Sequence, residues 1–227
     1  MNGTFYNSNV VSLKQHTAKT FGWMFLGLLA TFVVMIGTYL TGAVVWFLST
    51  PAMAILAILE IGTVIFLSAR VGKMSIGATR ALFFTYAVLN GLTFSTYFLY
   101  FKLPILMLSF GVTALYFGVM AAVGYFTAVD LSRIRPILIS GLIFLIIFNF
   151  LGIFFGFGGM ERIFCFAGVA IFLGFTAYDT QKIKALHAAY CHDESMLKRV
   201  SIMSALELYL DFINLFLYIL RLFSSKD

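Results

Sequence analysis

The sequence predicts an all-α polytopic membrane protein, one bundle of seven transmembrane helices with the seventh near its centre. Three observations carry this. Hydrophobic residues make up 62% of the 227-residue chain and charged residues 11%, whereas soluble domains carry about 25% charged residues. Apolar runs long enough to cross a hydrocarbon core of about 30 Å recur from end to end. The mean hydropathy is +1.01, and the connections between runs are too short to build a second domain. The net charge of +6 gathers in those connections without an aromatic-basic surface repeat, so it reads as a topology signal and argues against nucleic-acid binding.

Residues 1–20 are polar and are expected to form a cytoplasmic N-terminal tail or surface helix, with 21–227 as the transmembrane domain. The first span lies within 21–48, much longer than the apolar core of a cleavable signal. Ser49-Thr50-Pro51 is the turn after it. The second span, about 53–69, contains Glu60 and closes at Arg70. The third, about 81–100, is dotted with Asn90, Gly91, Thr93, Ser95 and Thr96 and ends at Lys102 and Pro104. The fourth is about 105–126, followed by a loop with Asp130, Arg133, Arg135 and Pro136. The fifth, about 137–155, carries Asn149 and runs into a flexible glycine turn at 156–159. The sixth follows Glu161 and Arg162, and a polar connection over 182–199 leads to the seventh.

Of the fifteen Lys and Arg residues, all but Lys102, Arg162, Arg221 and Lys226 fall on the N-terminal side of such a bundle. The positive-inside rule then puts the N-terminus in the cytoplasm and the C-terminus outside. Cys165 and Cys191 fall on opposite sides of the membrane with no CxxC pair, which argues against a disulfide, redox or metal role for them. No nucleophile elbow, phosphate loop or HExxH helix is present, so an enzyme has no positive support. Gly152-x-x-x-Gly156 fits close helix packing, a spacing common by chance. His187 and His192 fall in the polar connection, where pH sensing is a minor reading.

The costly residues lie elsewhere. The last span, about 204–221, carries Glu207, Asp211 and Asn214 at i, i+4 and i+7, one face of a helix, with Ser204 and Tyr218 extending the stripe. A carboxylate at mid-membrane costs about 2.5–3.5 kcal/mol on insertion scales, so such a stripe must face protein or water. At about 1.5 Å rise per residue, Glu60 and Asp211 each lie about 15 Å from the arginine that closes their span. This predicts a midplane layer of Glu60, Asp211 and Asn214 and a cytoplasmic layer of Arg70, Asp179 and Glu207. Four carboxylates near one guanidinium are expected to exchange protons as a coupled set. Carboxylate, amide and hydroxyl oxygens are also the hard ligands that suit Ca²⁺. Glu60 alone is equally readable as a structural interhelical hydrogen bond, and Asp179 as a helix-end residue with its charge among the headgroups.

Gly174-Phe-Thr-Ala-Tyr-Asp179-Thr-Gln-Lys-Ile-Lys184 and Ala205-Leu-Glu-Leu-Tyr-Leu-Asp211-Phe-Ile-Asn-Leu-Phe216 resemble the sixth and seventh helices of the transmembrane Bax inhibitor motif family. Ile58-Leu-Glu60 followed by Arg70 fits its second helix. The resemblance covers essentially the whole chain after residue 20. It implies a bacterial-type member with a seven-helix bundle and a pH-sensitive calcium leak. Asp179 and Asp211 would form a hydrogen-bonded pair, Arg70 would latch it, and Ca²⁺ would permeate. Glu207 departs from the family pattern, which more often has a small or neutral polar residue there. It is expected either to shift the pH midpoint or to join Asp179 and Asp211 as a cation ligand.

The expected function is therefore a proton-gated Ca²⁺ leak channel of a bacterial inner membrane, its partners the bilayer, Ca²⁺ and protons, with no covalently bound cofactor. The competing reading is a non-conducting regulator that binds a membrane protease or cell-death partner. A proton-coupled carrier, recognisable by saturable exchange, is a third.

Overall fold

The computed structural model describes residues 11–70, 72–155 and 160–224. The first ten residues, the glycine turn at 156–159 with Gly156 of the GxxxG spacing, and Lys226 lie outside the described residues. Eight α-helices follow in order: α1 Leu13–Leu40, α2 Thr50–Arg70, α3 Ile76–Ser95, α4 Tyr97–Tyr100, α5 Leu103–Phe126, α6 Arg135–Phe155, α7 Glu161–Tyr190 and α8 Glu194–Ser224. No strand occurs among the described residues. The short α4 completes the third span, and the chain makes seven helical segments long and apolar enough to cross a membrane.

Local chemistry sets the ends. Ser12 and Gln15 form a reciprocal capping box that starts α1, eight residues before the apolar run and inside the 1–20 segment. Ser75 caps α3 by accepting from the Ala78 N–H at 3.1 Å, and Pro104 sits in the first turn of α5, where its missing N–H costs nothing. Gly42, at φ 74°, turns the chain out of α1 in a left-handed conformation that other residues adopt poorly. Asp193 Oδ1 accepts from the Met196 N–H at 2.9 Å and starts α8.

The polar connection expected over 182–199 is therefore mostly helix. Both α7 and α8 run past the apolar stretch, leaving a three-residue break at 191–193. His187 stands on α7 rather than in a loop, its ring 5.6 Å from that of His16 on α1 and its Nε2 2.7 Å from the Val11 carbonyl oxygen.

Helix α8 packs against α1, α3, α5 and α7, whereas α2 leans mainly on α3 and α6 on α7. Of the membrane-crossing stretch of α8, 67% is buried, against 11% for α2 and for the fifth span. Ile55, Ile58, Ile61 and Ile65 of α2 are all more than half exposed. On a soluble protein such a stripe would be an aggregation surface, but in a bilayer it faces lipid of equal polarity. Tyr209 of α8 is fully buried and its hydroxyl lies 2.7 Å from Thr31 Oγ1 on α1. Thr31 has a single proton, which it can donate to the Ala87 carbonyl of α3 at 2.9 Å while accepting from Tyr209. One hydroxyl pair thus ties three helices.

Two glycines let α7 approach its neighbours. A Cβ on Gly124 of α5 would collide with the backbone carbonyl of Ala177, and one on Gly168 of α7 would lie 2.6 Å from the Tyr218 ring. The first contact fixes the height of α5 against the turn of α7 that carries Asp179.

Candidate functional site: the carboxyl seam between two helices

Helices α7 and α8 are antiparallel, and their facing residues pair level by level. Phe172 meets Tyr218 with ring centroids 5.9 Å apart, Asp179 meets Asp211, and Lys182 meets Glu207. Asp179 and Asp211 are 7% and 4% exposed, so the first polar level is enclosed by protein. The register set by Phe172 against Tyr218 and Lys182 against Glu207 faces these two carboxyl groups across the seam. Ionised carboxylates only accept, so a hydrogen bond between the two requires a proton on one of them. Asp211 Oδ2 has no hydrogen-bond partner among the described residues.

One turn toward the N-terminal side of the bundle, Lys182 Nζ donates to Glu207 Oε1 at 2.6 Å. This ion pair is partly exposed, with side chains at 28% and 21%. Both charges act on the aspartates, the lysine attracting and the glutamate repelling, and Arg135 adds a weaker attraction on Asp179. Thr180 Oγ1, Ser204 Oγ and Glu207 Oε2 are buried without a hydrogen-bond partner among the described residues. They share two facing helices with the carboxyl pair. The seam can hold or exchange a proton and offers oxygen atoms to a passing cation.

Residues around the pair are positioned by the rest of the motif on α7. Gln181 Oε1 accepts from the Leu131 N–H at 2.8 Å and its amide donates to the Val129 carbonyl at 2.7 Å. Lys184 Nζ donates to the Tyr125 carbonyl at 2.7 Å, at the C-terminal end of α5, where a cation complements the free carbonyls of the helix end. Gln181 and Lys184 thereby bind α7 to the α5–α6 connection just beyond the aspartate level.

Residues 13–227 match the protein family described as inhibitor of apoptosis-promoting Bax1. The chain belongs to the Bax inhibitor family. The inner membrane protein YbhL of Escherichia coli K12 is 37% identical over 217 residues, covering 94% of this chain and 93% of YbhL. An uncharacterised protein of Borreliella burgdorferi is 35% identical over 211 residues, covering 92% of this chain and 91% of its own length. A Chlamydia muridarum protein is 32% identical over 227 residues, with 93% and 91% covered. The match to the Bax inhibitor family begins where α1 begins and takes in every described helix.

Against the expected layers, the structure makes three corrections. First, Asp179 lies level with Asp211 and not with Glu207. The depth estimate took Lys182 for a membrane boundary, but α7 continues to Tyr190 and Lys182 is neutralised by Glu207 inside the bundle. Second, the latch role expected of Arg70 has no contact behind it. Arg70 is exposed at the end of α2, and the cation beside the aspartates is Lys182. Third, Asp179, Asp211 and Glu207 do not form a metal cage, since no three such side chains among the described residues are placed to share an ion.

The midplane layer also divides. Thr93 Oγ1 donates to Glu60 Oε1 at 2.6 Å, which engages Glu60 with α3. Asn214 turns its amide back to the Leu210 carbonyl of its own helix at 2.8 Å. Lys182 escaped the sequence reading because a lysine near the end of an apolar run reads as a boundary. Its spacing of three residues from Asp179, one helical turn, was the available signal.

Proposed function

We propose that this protein is a pH-sensitive Ca²⁺ leak channel of a bacterial inner membrane, its N-terminus cytoplasmic, gated by the proton on the Asp179–Asp211 pair. The observation that carries the reading is that these two carboxyl groups are both enclosed by protein and face each other between α7 and α8. With one proton shared, the pair is a single anion bridged by a hydrogen bond, and α7 and α8 are held together at that level. Without it, two anions face each other in a low-dielectric seam, a repulsion that separation or a cation relieves. Gain or loss of one proton therefore changes the packing of the two helices.

Lys182 and Glu207 set the field in which this happens. They stand between the pair and the cytoplasmic side, so a cation moving along the seam meets Glu207 next to the aspartates. Gly124 holds α5 against α7 at the same height, which gives the movement a fixed wall to work against. The inner-membrane placement is supported by the description of YbhL, and the orientation by the basic residues gathered on the N-terminal side.

The test is Ca²⁺ flux by the purified protein in proteoliposomes across a range of pH. Asp179→Asn and Asp211→Asn are each expected to abolish the pH dependence. Should both leave the flux and its pH profile unchanged, the gating role is wrong. A pure protein that conducts nothing at any pH, yet co-purifies with a stable membrane partner, would favour the regulator instead.

A further inference from the structure

A second feature shares no lining residue with the carboxyl seam. Near the start of α1, α3 and α8, on the N-terminal side of the bundle, a cleft of about 520 Å³ opens, lined among others by His16, Lys19, Trp23, Arg80, Lys198 and Leu26. Ser201 lines it and shares a hydrogen bond with Thr20 at 2.9 Å, and His16 is enclosed with its Nε2 unpartnered among the described residues. Its rim is cationic. Arg80 lies over the Trp23 ring, 4.9 Å from the centroid. Of the three rim cations, Lys198 is paired with Glu194 at 2.5 Å, and Glu194 is the one carboxylate lining the cleft. Lys19 and Arg80 have no ion pair among the described residues and are exposed.

Below this rim the surface turns apolar. Phe25 and Leu26 are 64% and 44% exposed on the membrane-crossing part of α1, and Gly22 between them and Lys19 leaves open space where a side chain would stand. The cleft thus joins two surplus positive charges at the depth of the headgroups to an apolar slot running toward the hydrocarbon. A free anion would use only the first half, and a neutral lipid only the second. We propose that this cleft is a binding site for one anionic phospholipid, its phosphate against Lys19 and Arg80 and an acyl chain along Gly22, Phe25 and Leu26.

Trp23 lies in the cleft and gives the readout. The chain has two tryptophans, so a Trp46→Phe background leaves Trp23 as the sole fluorophore. In bilayers mixing phosphatidylglycerol with phosphatidylcholine, one or the other brominated, contact quenching reports which lipid sits beside Trp23. Each basic residue near a membrane surface attracts anionic lipid by about 1 kcal/mol, so the two free cations should give phosphatidylglycerol a preference of about five- to thirtyfold. That preference should fall to near one in the Lys19→Gln/Arg80→Gln variant. It should persist in Lys73→Gln/Arg133→Gln, which removes two positive charges from the same side but outside the cleft. A preference near one in the parent overturns the proposal. So does an equal fall in both variants, which would make the attraction one of general surface charge. Displacement of the brominated lipid by millimolar inorganic phosphate would also overturn it, because the site would then hold an anion without its chains.

Discussion

Helices α2 and α8 each carry a carboxylate ten residues before an arginine, and on sequence they are equals. In the bundle they are not. Asp211 is enclosed on α8 and meets a second carboxyl group across the seam. Glu60 is half-buried on a helix that mostly faces lipid, and takes one neutral hydrogen bond from Thr93. The arginines differ as well. Both are exposed, but Arg221 lies 5.8 Å from the Tyr218 ring and donates to Asn149. Helix rise fixes the height of a residue but not the direction it faces. Two carboxylates at one height can therefore belong to different environments, and the proposed gate assigns proton control only to the one facing another acid.

The largest expected effect follows directly. A hydrogen bond to a charged group is worth about 1.5–3 kcal/mol, so Asp211→Asn should change the ratio of conducting to closed protein about ten- to hundredfold where the pair would otherwise titrate. Glu60→Gln should leave the shape of the flux-against-pH curve intact. If Glu60→Gln flattens that curve as strongly as Asp211→Asn, the two sites are one system and the contrast between the helices collapses.

Packing offers a comparison that is independent of conduction. Gly124 faces the Ala177 backbone, which cannot swing aside, and Gly62 on α2 has open space around it. Overpacking costs about 1–3 kcal/mol, so Gly124→Val should lower the thermal unfolding temperature of the detergent-solubilised protein by several degrees. Gly62→Val should stay within about 0.5 kcal/mol of the parent, as surface substitutions usually do. Equal losses would mean that α2 is packed as tightly as the seam.

Charge neighbours sharpen the contrast further. Lys182 favours the ionised aspartate pair and Glu207 opposes it. Lys182→Met should therefore move the flux midpoint to higher pH, since the proton is then held more firmly, and Glu207→Gln should move it to lower pH. Partial exposure weakens both effects, so the two shifts should be modest and opposite. Arg70→Gln should not move it. A shift with Arg70→Gln matching that of Lys182→Met would restore the arginine as the latch.

How far these roles could be read in the sequence depends on what each one rests on. The spans are legible because bilayer insertion selects long apolar runs, and Asp211 and Glu207 stand out because charge within such a run is costly. The true ends of α7 and α8 are not, because both helices leave the membrane without changing their period. Ser12, Gln15 and Asp193 mark helix starts by hydrogen bonding, which hydropathy does not register. The closeness of Gly124 to Ala177 depends on how two helices far apart in the chain are rotated. For the same reason, depth alone does not tell which residue of α8 Asp179 faces.

The smallest effect concerns a carboxylate outside the membrane. Asp130, in the α5–α6 connection, accepts from the Ser132 N–H at 2.9 Å, and this backbone hydrogen bond holds its carboxyl below the ordinary aspartate range. A group whose folded value is depressed stabilises the fold above its unfolded value, near 3.9, and loses that contribution as pH falls through the folded value. Thermal unfolding measured from pH 6 downward should therefore show a shallow loss beginning near pH 4 that is missing in Asp130→Asn. Because the carboxylate is fully exposed, the difference should be slight and confined to that acid window. Ca²⁺ flux at neutral pH should be unchanged. If Asp130→Asn instead alters the flux midpoint near neutrality, the connection that Gln181 and Lys184 tie to α7 is part of the gate, and proton control extends beyond the enclosed seam.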